Sequence, residues 1–429
     1  MDTKTRVETF LAPHIVTLLH NAGQIAATQK MRLLLVGGAV RDLFLAQSNK
    51  DMDLVVGPLT TNGTTIDPET DAMPDFAYQF GRALIDQLGG KMIKRSQFGT
   101  IKIVIDQETL EIATARRETY PVPGALPVIQ PGTVEQDLWR RDFTVNAMSI
   151  ELNPGNFGEL LDPLGGIEDL QKKLLRPIHS KTFQDDPTRL LRAVRYENRL
   201  KFKMTRTCVR WIQRDAKYIN EISGERIWNE LIKIGEEAGF NRTMLRAQKL
   251  GILPGIATYL NWSDSLGRQL STKESLCYQD NLLLYLVALA NDLSQDQMNR
   301  LKADFRVPKK WRLVLDANQW ITFQTPTLKK PVLTSRELYN CLTGIAPNIL
   351  RARLVITNNR TVVRNIKRFL KELLYIRPRL SPTQIVGLGV SEGPQIAEVL
   401  NILKNTRLDN MQLSLEEEES LVQAYLESQ

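Results

Sequence analysis

The sequence predicts an α+β protein whose strands are confined to the first third of the chain. Between residue 31 and about residue 150, short β-branched runs alternate with helical periods, whereas beyond about residue 165 the apolar residues recur almost wholly at helical spacing. No apolar run approaches the ~18 residues of a membrane span. The 429 residues are 42% hydrophobic and 24% charged, which is ordinary globular composition and excludes a disordered chain.

Taken in order, residues 33–36, 52–56, 99–105 and 109–115 read as strands. Residues 76–88, with apolar side chains at Phe76, Phe80, Ala83, Leu84 and Leu88, read as a helix. The uncharged stretch 120–132 carries four prolines and reads as an extended loop. Helical periods then run through 190–199, 225–234, 276–289 and 362–374, with no fixed-period repeat. Cys208, Cys277 and Cys341 are odd in number and far apart, which fits free buried thiols. The polar start of the chain lacks a signal-peptide pattern, so the expected compartment is the cytoplasm. With only His14, His20 and His179 available, any chemistry rests on carboxylates, arginines and backbone groups.

Candidate site residues cluster in four segments. Gly37 and Gly38 lie between a strand and a helix start that also carries Arg41; this is either a tight turn or a place where backbone N–H groups approach a phosphate. Asp51 and Asp53, two apart on a strand, share one face while Met52 and Leu54 point into the core. Two carboxylates so close repel unless a cation lies between them, and oxygen-only ligands favour Mg²⁺. An isolated pair of this kind is more often a solvated strand end, but the glycine turn one helix earlier favours the metal site. Glu111, mid-strand, is a third ligand or a half-exposed strand residue.

Arg140 and Arg141 precede Asp142, and Asn146 follows it four residues later on the same face of an expected helix; together they suit phosphate oxygens and a ribose hydroxyl. Asp186 fits a helix N-cap with Pro187 at the first helical position, and Arg189, Arg192 and Arg195 follow at three-residue spacing. Glu225 and Arg226 read as a structural brace between helices.

Together these segments resemble the class II tRNA nucleotidyltransferase and bacterial poly(A) polymerase family. Gly37-Gly38-Ala39-Val40-Arg41-Asp42 with Asp51-Met52-Asp53 looks like its motif A, and Arg140-Arg141-Asp142-Phe143-Thr144-Val145-Asn146-Ala147 like motif B. Asp162, Gly165, Gly166 and Asp169 match motif C, Asp185-Asp186-Pro187-Thr188-Arg189 motif D, and Glu225-Arg226-Ile227 motif E. One departure is Asp185, where the family usually has Glu. The likeness covers residues 30–235 in five ordered motifs and thins beyond them, apart from 387–400.

The resemblance implies a polymerase-β-like head with a mixed sheet over 1–150, a helical base-recognising neck over 151–240, a helical body over 241–330 and an RNA-binding tail over 331–429. It implies Mg²⁺-dependent two-metal catalysis at Asp51 and Asp53. It also implies triphosphate and ribose binding by Gly37, Gly38, Arg41, Arg140, Arg141, Asp142 and Asn146, and base recognition by Asp186 and Arg189. Arg192 and Arg195 would hold phosphates or brace the helix. An Asp accepts and an Arg donates hydrogen bonds. Cytosine and adenine offer the complementary amino donor and ring-nitrogen acceptor, whereas uracil and guanine reverse both. The implied reaction is addition of C and A from CTP and ATP to the 3′ end of tRNA. Related activities are CC-only or A-only addition and poly(A) synthesis, while a small-molecule nucleotidyltransferase and a non-catalytic RNA-binding module are the readings from other classes.

The net charge of +8 is unevenly placed. Residues 302–379 carry a balance of +13, residues 380–429 one of −6, and residues 1–301 only +1. Within the basic stretch Arg360, Arg364, Lys367 and Lys371 share a helical face, expected to meet an RNA backbone.

Overall fold

The computed structural model describes residues 2–47, 52–59, 75–96, 99–273 and 281–429. They form two compact units, Met1–Leu231 with Arg242–Thr258, and Ile232–Asn241 with Tyr259–Gln429. Among the described residues, no helix is long and apolar enough to cross a membrane.

The strands of the first unit are β1 (Met31–Val36), β2 (Met52–Pro58), β3 (Lys91–Arg95), β4 (Thr100–Ile105), β5 (Glu108–Thr114), β6 (Arg116–Thr119), β7 (Val128–Pro131), β8 (Ser149–Glu151) and β9 (Leu160–Leu161), with a separate short parallel pair, β10 (Leu174–Leu175) and β11 (Lys203–Met204). Seven of them make one sheet in the order β3-β4-β5-β2-β1-β8-β9. Only β2 and β5 pair in parallel within it, so the sheet is mixed. The β4–β5 connection is two residues long, Asp106 and Gln107, both at positive φ. That geometry suits the right-handed twist of a tight hairpin.

The α-helices of this unit are α1 (Thr3–Phe10), α2 (Pro13–Thr28), α3 (Gly38–Phe44), α4 (Phe76–Leu88), α5 (Val134–Trp139), α6 (Gly166–Gln171), α7 (Thr182–Asp185), α8 (Thr188–Arg199), α9 (Arg206–Asp215), α10 (Gly224–Glu236), α11 (Phe240–Lys249) and α12 (Ile252–Ile256), α10 and α11 each having one end in the second unit. The expected helix 76–88 is α4, started by Asp75, whose side chain accepts from Tyr78 N, and ended by Gly89 at φ 78°. It covers the sheet face where Ile101, Ile112 and Leu54 align across β4, β5 and β2, with Ile103, Leu110 and Met52 in the next row. On the opposite face Leu34, Val36, Val55 and Ala115 pack with Val134 of α5. Each central strand is thus apolar on both sides, which is why 52–56 reads as a nearly unbroken apolar run.

Two local expectations are corrected. The proline-rich segment is not all loop, because Val128–Pro131 pairs with Arg116–Thr119 as a two-stranded hairpin. Pro131 ends that strand, where a missing N–H costs no ladder bond. Residues 140–147 are not a helix, for α5 stops at Trp139 and only a 3₁₀ turn, Thr144–Asn146, follows. Asp142 accepts from Phe143 N at 2.8 Å, a local bond that competes with helical continuation.

The second unit is helical throughout its described residues. Phe240, Trp262 and Tyr285 form a buried aromatic triad with centroids 5.6–6.1 Å apart, and the Trp262 indole N–H bonds Asn241 at 2.9 Å. Toward the C-terminus, Leu380, Ile385, Val390, Val399, Leu403, Val422 and Tyr425 build a separate cluster. The buried Glu418 carboxylate closes that region by accepting from Arg379 N, Leu380 N and Arg407. Cys208 and Cys341 are free and buried, and Cys277 lies outside the described residues.

Gly23 shows how closely α2 is pressed against the strands. A Cβ there would fall 1.8 Å from the Leu152 carbonyl oxygen. In an exposed helix Gly→Ala stabilises by about 1 kcal/mol. Here the backbone would have to part, so Gly23→Ala is expected to destabilise the first unit by about 1–3 kcal/mol in urea unfolding.

Candidate functional site: a carboxylate row and a buried charge circuit

Asp53 sits on β2 in register with Glu111 of β5, which is in register with Lys102 of β4. Register on paired strands puts the three side chains in one row on the sheet face opposite α4, strands lying about 4.8 Å apart. Asp51 is outside the described residues. The sequence-predicted Asp53 and Glu111 are thus neighbours, with a cation beside the outer one.

Next to this strand pair, β1 is followed by Gly37, whose N–H donates to the Met148 carbonyl at 3.2 Å. Gly37 adopts φ 70°, and a Cβ there would lie 2.7 Å from Nη1 of Arg141. Glycine therefore serves a double purpose, a left-handed turn and room for a guanidinium against the backbone. Gly38 opens α3, a helix of only seven residues.

From α3 a chain of buried bonds runs into the later segments. Arg41 bonds its neighbour Asp42 at 2.8 Å and donates to Oδ1 of Asn146 at 2.6 Å. Asn146 donates from Nδ2 to Asp142 Oδ1 at 2.9 Å, and the other Asp142 oxygen receives Arg192 Nε at 2.8 Å. Arg192 in turn donates to the Tyr196 hydroxyl at 3.0 Å. The Tyr196 ring lies beneath the guanidiniums of Arg41, Arg192 and Arg195, at 5.5, 5.3 and 4.9 Å from its centroid. The path closes on itself: Arg41, Asn146, Asp142, Arg192, Tyr196 and back to Arg41. Phe143 packs on Phe183 and Tyr196 and seals it.

Burial alone would raise the Asp142 carboxyl. Arg192, the Asn146 amide and Arg189 outweigh it and hold the group down at about 2. Asp137 follows the same logic, its carboxyl lowered despite burial because both oxygens face arginines. Arg140 donates to Oδ1 at 2.9 and 2.7 Å, and Arg141 to Oδ2 at 3.0 Å. The double arginine is thereby held from below. Asp137 was not among the residues expected from the sequence, although its spacing of three and four from the arginines would have revealed it.

Pro187 is the N-cap of α8 and Asp186 precedes the helix, which corrects the expected capping by one residue. Asp186 Oδ1 still takes the Thr188 N–H at 3.0 Å and the Thr188 hydroxyl at 2.6 Å, and it also receives Arg226 at 2.8 Å. The motif read as a helix brace therefore clamps a candidate base-reading carboxylate. Arg189 is buried and bonds the Thr182 hydroxyl at 2.7 Å and the Arg140 carbonyl. Arg195 faces Glu230 at 3.5 Å. The three arginines of the stripe thus have three different destinations.

In the second unit, Arg360, Arg364, Lys367 and Lys371 are all exposed on the helix Arg360–Arg368 and its π-helical continuation Phe369–Leu373. Ile366, Phe369 and Leu373 are buried beneath them. Arg360, Arg364 and Lys367 line a concavity of about 530 Å³. Arg368 turns aside to the Leu333 carbonyl and the Ser335 hydroxyl, at 3.0 and 2.8 Å. The stripe therefore presents a positive rim that does not include every cation of the helix.

Residues 33–176 match the family described as the poly A polymerase head domain, and residues 201–261 the probable RNA- and SrmB-binding site of polymerase A. The chain is 28% identical over 413 residues to the A-adding tRNA nucleotidyltransferase of Geobacter sulfurreducens, covering 92% of this chain and 45% of that protein. It is 41% identical over 187 residues to the A-adding enzyme of Halalkalibacterium halodurans, covering 43% of this chain and 40% of that protein. The chain thus spans about half the length of the curated relatives it matches. Among solved structures, a CCA-adding enzyme in apo form superposes with a TM-score of 0.79 at 25% identity, over 100% of this chain and 99% of that one. The Thermotoga maritima CCA-adding enzyme complexed with tRNA shares the fold with a TM-score of 0.76 at 24% identity, over 99% of each chain.

The low Asp142 value carries a pH signature. A carboxyl at about 2 in the folded protein and ~3.9 unfolded stabilises fully above the unfolded value, and that contribution is lost as pH falls through about 2. Asp142→Asn should therefore remove about 2 kcal/mol of stability at pH 7. It should also flatten the loss of stability between about pH 4 and pH 2 relative to wild type, read by denaturant unfolding at several pH values.

Proposed function

We propose that the chain, whose residues 33–176 match the poly A polymerase head domain and which resembles tRNA nucleotidyltransferases in sequence and fold, is a member of that family and a template-independent nucleotidyltransferase adding C, A or both from CTP and ATP to the 3′ end of tRNA. The observation that carries this reading is that Asp186 and Arg189, three residues apart at the start of α8, are each held in place, the carboxylate clamped by Arg226 and the guanidinium by Thr182. A fixed acceptor beside a fixed donor matches cytosine and adenine. Uracil or guanine would leave a buried polar group unpaired, at about 1–3 kcal/mol per group.

The residues present fit a hard divalent cation, and we take it to be Mg²⁺. The donors are carboxylate oxygens only, and Asp53 has Glu111 in register on the neighbouring strand. Asp53 would hold the ion together with Asp51. Bound divalent ions of this kind stabilise charge on the attacking and leaving oxygens of a phosphoryl transfer. Around them Arg140 and Arg141, set by Asp137, would orient the triphosphate against the Gly37 turn. Asp142 and Asn146 would align the ribose side of the site, and Arg192 and Arg195 would keep α8 in place. The exposed rim of Arg360, Arg364, Lys367 and Lys371 would follow the tRNA backbone. We assign the head to residues 1–150, the base-recognising neck to 151–240, the body to 241–330 and the RNA-binding tail to 331–429, in a cytoplasmic protein.

Within this reading one observation favours addition of the terminal A alone: the Geobacter relative, matched over nearly the whole of this chain, is an A-adding enzyme. Incubating the protein with tRNAs ending before CCA, after the first C and after CC, each with CTP, ATP or both, separates the activities by product length. An A-adding enzyme extends only the CC end by one residue, a CCA-adding enzyme extends all three, and a poly(A) polymerase gives long ladders. Asp53→Ala is expected to abolish incorporation with tRNA affinity unchanged. Arg364→Glu with Lys367→Glu should instead weaken tRNA binding and lower the slope of log affinity against log salt by about 1 per lost phosphate contact.

A further inference from the structure

In the second unit the helix Lys309–Leu328 is apolar on two sides. Leu315, Ile321 and Leu328 are buried and seat it against the rest of the unit. A surface helix needs only one such stripe. Leu313, Trp320 and Phe323, spaced by seven and three residues, form a second stripe on the outer side, exposed by 62%, 46% and 73%. Trp320 is held in place there. Its indole N–H donates to the Cys341 carbonyl at 2.9 Å, and the Phe323 ring lies against it with centroids 5.9 Å apart. An aromatic pair normally contributes by burying its faces. Fixed in position and left in water, this one is a ready surface for planar partners.

Charge indicates what covers it. The only acid of the helix, Asp316, pairs with Lys302 at 2.6 Å. Lys309, Lys310 and Arg312 flank one end of the stripe and Lys329 and Lys330 the other; all are exposed, and among the described residues none of them pairs with a carboxylate. The helices packed against it, Asn281–Leu289, Gln295–Asp304, Ser335–Leu342, Pro347–Ile356 and Arg360–Arg368, each carry a net charge of zero or above. A second copy of the chain would bring the same cations face to face, so self-association fits poorly. A polyanion fits. The stripe is also joined to the exposed basic rim, because Asn365 donates to the Leu328 carbonyl at 3.0 Å and Arg364 to the Pro331 carbonyl.

We propose that Trp320 and Phe323 form a stacking surface for unpaired bases of the RNA acceptor, with Leu313 extending its apolar floor and Lys329 and Lys330 placed for the flanking phosphates. The ligand class rests on the tRNA reading given above. Paired bases hide their faces inside the helical stack, so this surface calls for bases outside a duplex. Stacking tolerates any sequence, because every base has a π-face. It differs physically from the basic rim, whose contacts would be ionic and release counterions.

The test measures equilibrium binding of the full chain, as wild type, Phe323→Ala and Phe323→Trp, to tRNA and to a fully paired RNA duplex, each variant first checked for a wild-type unfolding midpoint. Phe323→Ala should raise the Kd for tRNA by about 5- to 100-fold and that for the duplex by less than about twofold. The slope of log affinity against log salt should not change, since stacking releases no counterion. Phe323→Trp, which keeps an aromatic face, should bind tRNA within about threefold of wild type. A tRNA Kd within about twofold of wild type in Phe323→Ala overturns the proposal, and so does equal weakening of tRNA and duplex. A wild type that sediments as a dimer and becomes monomeric in Phe323→Ala also overturns it, by making the face an interface between copies. Incorporation assays on the same proteins keep the two readings apart. A wild type that incorporates nothing, yet binds tRNA more tightly than Phe323→Ala, contradicts the transfer reaction and leaves the stacking surface standing. An active wild type whose tRNA affinity is unchanged in Phe323→Ala contradicts the stacking surface alone.

Discussion

The candidate site depends on one buried carboxylate, Asp142, shared between an amide and a guanidinium. Its Oδ1 joins it to Asn146 and its Oδ2 to Arg192 of α8. Asn146 in turn holds Arg41 of α3. A buried charge of this kind is a liability without its partners and a strict geometric constraint with them. Through it the turn after β1, the segment after α5 and the helix that follows Asp186 are held in one arrangement. The candidate phosphate-facing arginines adjoin Asp142 in sequence, and Arg189, one turn before Arg192 on α8, bonds the Arg140 carbonyl.

The remaining parts of the first unit can be read as support for that set. The sheet fixes Asp53 and Glu111 by register, with an apolar core on both faces of its central strands. Asp137 holds Arg140 and Arg141, Arg226 holds Asp186, and Thr182 holds Arg189. Side chains bound in this way lose little freedom when a ligand arrives, which is the physical meaning of a pre-organised site. The second unit contributes differently. Its exposed cations lie on one helix face with the apolar side chains beneath, so any attraction to a polyanion would come from a rim and not from a buried network.

Much of this was legible in the sequence where structure is local and periodic. Helix α4 could be read to the residue because its apolar spacing is regular and Asp75 and Gly89 mark its ends. The central strands could be read because they are short β-branched runs. The pairing of Asp53 with Glu111 was accessible only as a possibility, since register is set by non-local contacts. β7 was missed for the same reason, a proline-rich strand whose only signal is its partner β6. The expected helix over 140–147 failed because the Asp142 side chain bonds the adjacent backbone N–H, a choice that spacing does not encode. Tyr196 escaped notice because aromatic residues in a helix usually read as core. Only the folded chain shows three guanidiniums around its ring.

If the buried circuit is what aligns these segments, Asp142 and Arg192 must be energetically coupled and not merely adjacent. A double-mutant cycle of Asp142→Asn and Arg192→Gln, followed by denaturant unfolding at pH 7, measures this directly. The account predicts a coupling energy of at least about 1.5 kcal/mol, with the double variant less destabilised than the sum of the two single variants. Additive effects, within about 0.5 kcal/mol, would contradict it.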